Sequence, residues 1–121
     1  MATGFDSSAK NSMLQGLKDW EPASGFTAFT FGAFTTDADG ALVESEDKTY
    51  GTIASGAMDI SSNVVINIGA SNSITHMRIM KLDTGTGDIY TIYKKDVTTM
   101  TFTYAGSITV TSAEISLVDP T

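Results

Sequence analysis

The acidic motif Asp37-Ala38-Asp39-Gly40, with Glu44 and Glu46 downstream, gathers carboxylates as a Ca²⁺-binding loop does. Such a loop needs a third oxygen ligand before its glycine and a bidentate glutamate at a fixed later position. The third ligand is missing, so the segment reads as an acidic hairpin tip with Gly40 at positive φ. Asp83 and Asp88 flank two glycines and could cradle a cation through carbonyls, yet the same residues suit a hairpin loop. Paired carboxylates for glycoside hydrolysis would also have to come from these loops, and nothing in the sequence fixes their separation. His76 is the single histidine and falls in a strand-like run, where a hydrogen-bonded structural role is expected. A nucleophilic triad would need a serine in a strained turn such as Gly-x-Ser-x-Gly. Ser55-Gly56 and Ser62 sit instead in ordinary turn contexts. Lys94-Lys95 is followed at once by Asp96 and is no basic stripe. No residue is assigned a catalytic, cofactor-binding or metal-ligating role.

Aromatic rings offer a different chemistry. Trp20, Tyr50, Tyr90, Tyr93 and Tyr104 would serve carbohydrate binding only if at least two rings were exposed on one surface. Trp20 falls on the apolar face of a helical pattern, which places it in the core. The six methionines read as core filler.

The elements that must position these groups follow from composition and period. The 121 residues suit one domain. Hydrophobic residues are 41% and charged residues 17%, too apolar for a disordered acidic tail. Seven basic against fourteen acidic residues give a net charge of -7, which disfavours a phosphate-binding footprint and hence nucleic acid. The absence of cysteine excludes a disulfide scaffold, thiol catalysis and a thiolate metal site. The N-terminus has neither a basic start nor a long apolar run, so no targeting segment is expected. The longest apolar run, Val64-Val65-Ile66, is far short of the ~18 residues that span a bilayer. No membrane contact and no cofactor are expected, and synthesis in a cytoplasm is.

Residues 1–5 read as a flexible arm. Residues 6–20 read as a helix, with Ala9, Met13, Leu14, Leu17 and Trp20 on one face and Asp6 or Ser7 as its cap. Pro22 then stops it. From Phe26 the period becomes two. Phe29, Phe31 and Ala33 alternate with a wet Thr30 and Gly32; Val64, Ile66 and Ile68 and Met100, Phe102 and Tyr104 repeat the pattern. Further strands are expected near 49–54, 57–61, 73–82, 87–94 and 107–118, the last with a bulge. Turn residues at 36–40, 83–88 and 105–107 read as hairpin loops. The predicted fold is mainly β, an antiparallel β-sandwich or small barrel carrying one N-terminal α-helix, with residues 6–121 as a single domain.

Two segments resemble a family of small virion structural proteins of tailed bacteriophages. Ser8-Ala9-Lys10-Asn11-Ser12-Met13-Leu14-Gln15-Gly16-Leu17 is similar to their N-terminal helix. Ala70-Ser71-Asn72-Ser73-Ile74-Thr75-His76-Met77-Arg78-Ile79 resembles their Ile-Thr-His strand signature. The turn Thr84-Gly85-Thr86-Gly87, the strand Ile89-Tyr90-Thr91-Ile92-Tyr93 and the closing Gly106-Ser107-Ile108-Thr109-Val110 extend the likeness, and residues 35–55 depart from it. The resemblance implies a β-sandwich located in the virion, as a capsid decoration or cement protein or a neck or tail accessory protein. It implies the phage major capsid protein or other virion proteins as partners, self-association as a homo-oligomer, and no catalytic residues. Met1, Ala2, Thr3, Gly4 and Phe5 are the expected partner-contacting arm, because Phe5 is apolar on an otherwise polar tail.

Overall fold

A computed structural model describes residues 6–20, 29–82, 86 and 88–117 of the chain. The expected arm Met1–Phe5, the Pro22 stop and most of the 83–87 turn lie outside these residues. Helix α1 spans Ser7–Asp19. Asp6 holds the cap position in extended backbone, but its carboxylate makes no capping bond. The helix docks on a face rotated from the one its apolar spacing predicts, keeping Leu14 and Leu17 inward and turning Met13 and Trp20 out. Leu14 is buried and Leu17 half-buried, while Met13 and Trp20 are 46% and 40% exposed. Polar contacts set this rotation. The Gly56 N–H donates to Asn11 Oδ1 at 2.8 Å, and Lys18 Nζ donates to the Gly51 carbonyl at 3.0 Å.

Eight strands follow: β1 Phe29–Phe34, β2 Leu42–Lys48, β3 Ala57–Met58, β4 Val64–Ile68, β5 Asn72–Leu82, β6 Ile89–Phe102, β7 Gly106–Val110 and β8 Ile115–Ser116. They pair antiparallel as one four-stranded sheet, β2-β1-β5-β6, and two ribbons, β4-β7 and β3-β8. The mainly β, antiparallel class with one N-terminal helix is therefore as expected. β4 alternates buried and exposed as its sequence predicts. Its Val64, Ile66 and Ile68 join Leu14, Phe29, Phe31, Ala33, Tyr50, Met58 and Ile74 in the core.

Several elements differ from expectation. β2, with its acidic sequence, was not anticipated as a strand. The region 49–54 forms only isolated bridges, Tyr50↔Ile60 and Ala54↔Ala57. Ala54 and Ala57 exchange two 3.0 Å backbone bonds across Ser55 (φ 51) and Gly56 (φ 75), the double positive φ of a type I′ turn. The runs near 87–94 and 99–102 are one continuous β6, and Tyr104 lies beyond it, 83% exposed. Residues 107–118 break into β7 and β8 instead of bulging. The 105–107 turn is no hairpin, since β6 pairs with β5 and β7 with β4.

β1 is buried on both faces, so Thr30 and Gly32 are not wet. Its outer face packs a second, smaller cluster. A Cβ on Gly32 would lie 2.7 Å from Met80, 2.8 Å from Phe34 and 3.0 Å from Leu42, so any other residue there would have to push these side chains aside. Thr30 Oγ1 donates to Asp47 Oδ1 across the β1–β2 pair at 2.7 Å.

Candidate functional site

The outer face of the sheet concentrates charge. By register His76, Arg78 and Met80 of β5 stand beside Phe34, Gly32 and Thr30 of β1. Arg78 is buried, with its guanidinium 4.3 Å above the Phe34 ring. Its Nη1 donates to Asp39 Oδ1 and, at 3.1 Å, to Thr91 Oγ1; Nη2 lies 3.5 Å from Asp37. Its Nε has no partner. Lys94 Nζ donates to both Asp37 carboxylate oxygens, at 3.3 and 3.2 Å. The Lys94 hydrogen bond holds the Asp37 carboxyl below its ordinary range, against slight burial and helped by the charges of Lys94, His76 and Arg78. His76 Nε2 meets Asp96 Oδ1 at 2.9 Å, and its Nδ1 lies 2.7 Å from Thr75 Oγ1. The Thr75 hydroxyl donates to the Thr35 carbonyl at 2.8 Å. These contacts clamp the β1–β2 connection onto β5 and β6.

The expected acidic tip is thus an ion-pair partner. Asp37 and Asp39 come together, but their oxygens face Arg78 and Lys94. Glu44 and Glu46 stand apart on β2, opposite Ala33 and Phe31, and both are exposed. Among the described residues no group of three or more acidic or histidine side chains is placed to hold a metal ion. Gly40 does not adopt positive φ, because Asp39–Ala41 closes as a single 3-10 turn with Ala41 N–H donating to the Ala38 carbonyl at 3.0 Å. Ser62 receives the Lys48 ammonium at 3.0 Å. Lys94 and Lys95 point to different faces.

The inner face of β6 is built differently. Opposite β5 the pairs run Ile79↔Tyr93, Met80↔Thr91 and Lys81↔Tyr90, so β6 carries one extra residue at Ile92. In a regular strand, positions 90 and 93 would face opposite sides. The bulge returns Tyr90 and Tyr93 to one face. Trp20 meets Tyr90 edge-on at 6.2 Å between ring centroids. Trp20 therefore packs on a strand tyrosine at the surface, contrary to the expected core position.

Beside Tyr93 opens a groove of about 580 Å³ between β5–β6 and the 110–116 segment, with Phe31, Met77, Ile79, Val97 and Ile115 among its walls. Tyr93 is 57% exposed. The side-chain polar groups of Tyr93, Lys95 and Glu114 at this groove make no hydrogen bond or ion pair with other described residues. The far wall is pinned. Asp59 accepts from the Ser112 hydroxyl at 2.6 Å and from the N–H groups of Ala113 and Ile60 at 2.7 Å each. Those bonds, Ser112 foremost, hold the Asp59 carboxyl below its ordinary range. Tyr50 donates to the Ala113 carbonyl at 2.7 Å, and burial with the nearby Asp59 charge pushes its phenol well above the usual value. Sequence reasoning passed over Arg78, Asp59 and Glu114. No local signal marks them, because each acquires its role from residues tens of positions away.

Comparison of the chain with family models, with curated proteins and with solved structures found no match.

Proposed function

We propose that this protein is a structural component of a bacteriophage virion, a capsid decoration or cement protein acting without catalysis. The carrying observation is the outer face, where the polar side chains of Asp37, Asp39, His76, Arg78, Lys94 and Asp96 engage one another and fasten a loop to the sheet. Such an arrangement commits titratable groups to holding shape, and shape is what a lattice-bound protein must present. The resemblance over 8–17 and 70–79 supports the same reading, with neck or tail accessory protein as its close variant. Those two segments are α1 with its docked Asn11 and the central strand β5. Each copy would bridge neighbouring capsid subunits through interfaces of roughly 800 Å² per partner. Lattice multivalency would raise the effective affinity without new contacts, and a cyclic homo-oligomer would match a capsid axis.

Quantitative mass spectrometry of purified particles tests this. Hundreds of copies per particle are expected for a shell protein, whereas about six to twelve would move it to the neck or tail, whose rings are cyclic. Absence from particles would overturn the virion reading.

A further inference from the structure

The groove beside Tyr93 differs from the clamped outer face in one respect: its polar tips make no hydrogen bond or ion pair with other described residues. On the outer face the charges of Arg78, Lys94, Asp37 and Asp39 are consumed in mutual contacts. At the groove the Tyr93 hydroxyl, the Lys95 ammonium and the Glu114 carboxylate have no partner among the described residues, and they line it together with the apolar Met77 and Ile79. Arg78 also contributes to the wall, but its guanidinium is engaged over Phe34 on the opposite face.

We infer that this groove is a binding site for a neutral oligosaccharide. The geometry fits the chemistry of such a ligand in three ways. An exposed tyrosine offers its ring face to the apolar C–H face of a sugar ring. One uncommitted cation, one uncommitted anion and one hydroxyl supply donors and acceptors for sugar hydroxyls, while their charges cancel and leave nothing to prefer an anionic or cationic ligand. The volume, about 580 Å³, lies in the range of small-ligand sites. The Ile92 bulge returns Tyr90 to the face that carries Tyr93, and Tyr90 in turn touches the 40%-exposed Trp20 outside the groove. The opposite wall is held in place by Asp59 and Tyr50, so the site exists before ligand arrives. The site goes beyond the virion role and is independent of it.

The test is a printed array of neutral di- to tetrasaccharides beside sialylated and sulfated ones, read with the full chain. Titration of the strongest neutral binder into Tyr93→Ala, Tyr93→Phe and Glu114→Gln then follows. Binding of neutral glycans is expected, with Tyr93→Ala weakening it by roughly tenfold or more, the order that loss of a stacking contact gives. Tyr93→Phe keeps the ring and should retain most of the affinity. Glu114→Gln, at an exposed position, should weaken binding while the melting temperature stays unchanged. No neutral glycan bound at millimolar concentration would overturn the assignment. So would binding confined to charged glycans, or full affinity in both Tyr93→Ala and Glu114→Gln. None of these outcomes bears on the copy number of the protein in particles.

Discussion

Arg78 shows how much of a residue's role is settled by its neighbours in space. Its side chain is 4% exposed, against 46% for Asp37 and 70% for Asp39. Removing the arginine would let both carboxylates rehydrate, so the penalty falls mainly on the aliphatic stem and on the Phe34 face it covers. Arg78→Ala is expected to destabilise the fold by about 2 kcal/mol, and Arg78→Met, which restores the stem, by about half of that. Chemical denaturation monitored by tryptophan fluorescence measures both. Equal stability of Arg78→Ala and wild type would mean that the outer face is not a clamp. The Asp37–Gly40 turn was legible in the sequence because turn chemistry is local. Its partner was not, since Arg78 lies 39 residues beyond Asp39 and only strand pairing brings the two together. Gly40 was misread for a related reason: a 3-10 turn needs no positive φ, whereas Gly56 in the Ser55-Gly56 turn does adopt one.

At the level of elements, period revealed existence better than orientation. The helix was legible over 6–20, yet its docking face was not, because the contacts that orient it are polar. Asn11 and Lys10 both engage Gly56: one accepts its N–H, and the other lies where a Cβ would sit, 2.8 Å away. Asn11→Ala is expected to cost about 1 kcal/mol, the worth of one hydrogen bond with its orphaned donor. Gly56→Ala should cost at least as much, since it adds left-handed strain to the clash with Lys10. Because the two changes disturb one contact, the double variant should fall short of the sum, which a double-mutant cycle by urea titration reads directly. Strict additivity would show that Asn11 and Gly56 contribute independently. Strand patterns have a parallel limit. β4, covered on one side, announced itself by alternation. β1 and β6 alternate too, but the faces read from them differ from those found, because a second small core buries the outer face of one and a bulge resets the faces of the other. β2 was hidden by its charges, which an edge strand tolerates and which also discourage pairing with other chains.

For the whole molecule, class and charge were legible and the layering was not. Composition is a sum over residues, whereas the split into one four-stranded sheet and two ribbons depends on pairings that span the chain. Charge carries a consequence at this scale. The net charge is -7 and the isoelectric point near 4.3, so colloidal repulsion fades as pH falls toward that value. Stability follows a separate course. The Asp37 and Asp59 carboxyls are held below their ordinary values in the folded state. A depressed folded pKa favours the charged form on folding, so the contribution is present in full above the unfolded carboxylate value of about 3.9. It is lost as pH falls from there through the lowered values. Native protein should therefore self-associate between about pH 5 and 4, before the fold weakens, and unfolding should set in only at lower pH. Light scattering and far-ultraviolet circular dichroism recorded across one acid titration separate the two events. Asp59→Asn removes one of the two titrating ties and loosens the wall at Ser112 and Ala113. It should lower the melting temperature at pH 7 and flatten its decline below pH 4, while leaving the scattering onset nearly in place. A variant that kept the wild-type acid slope would show that Asp59 has no part in acid unfolding.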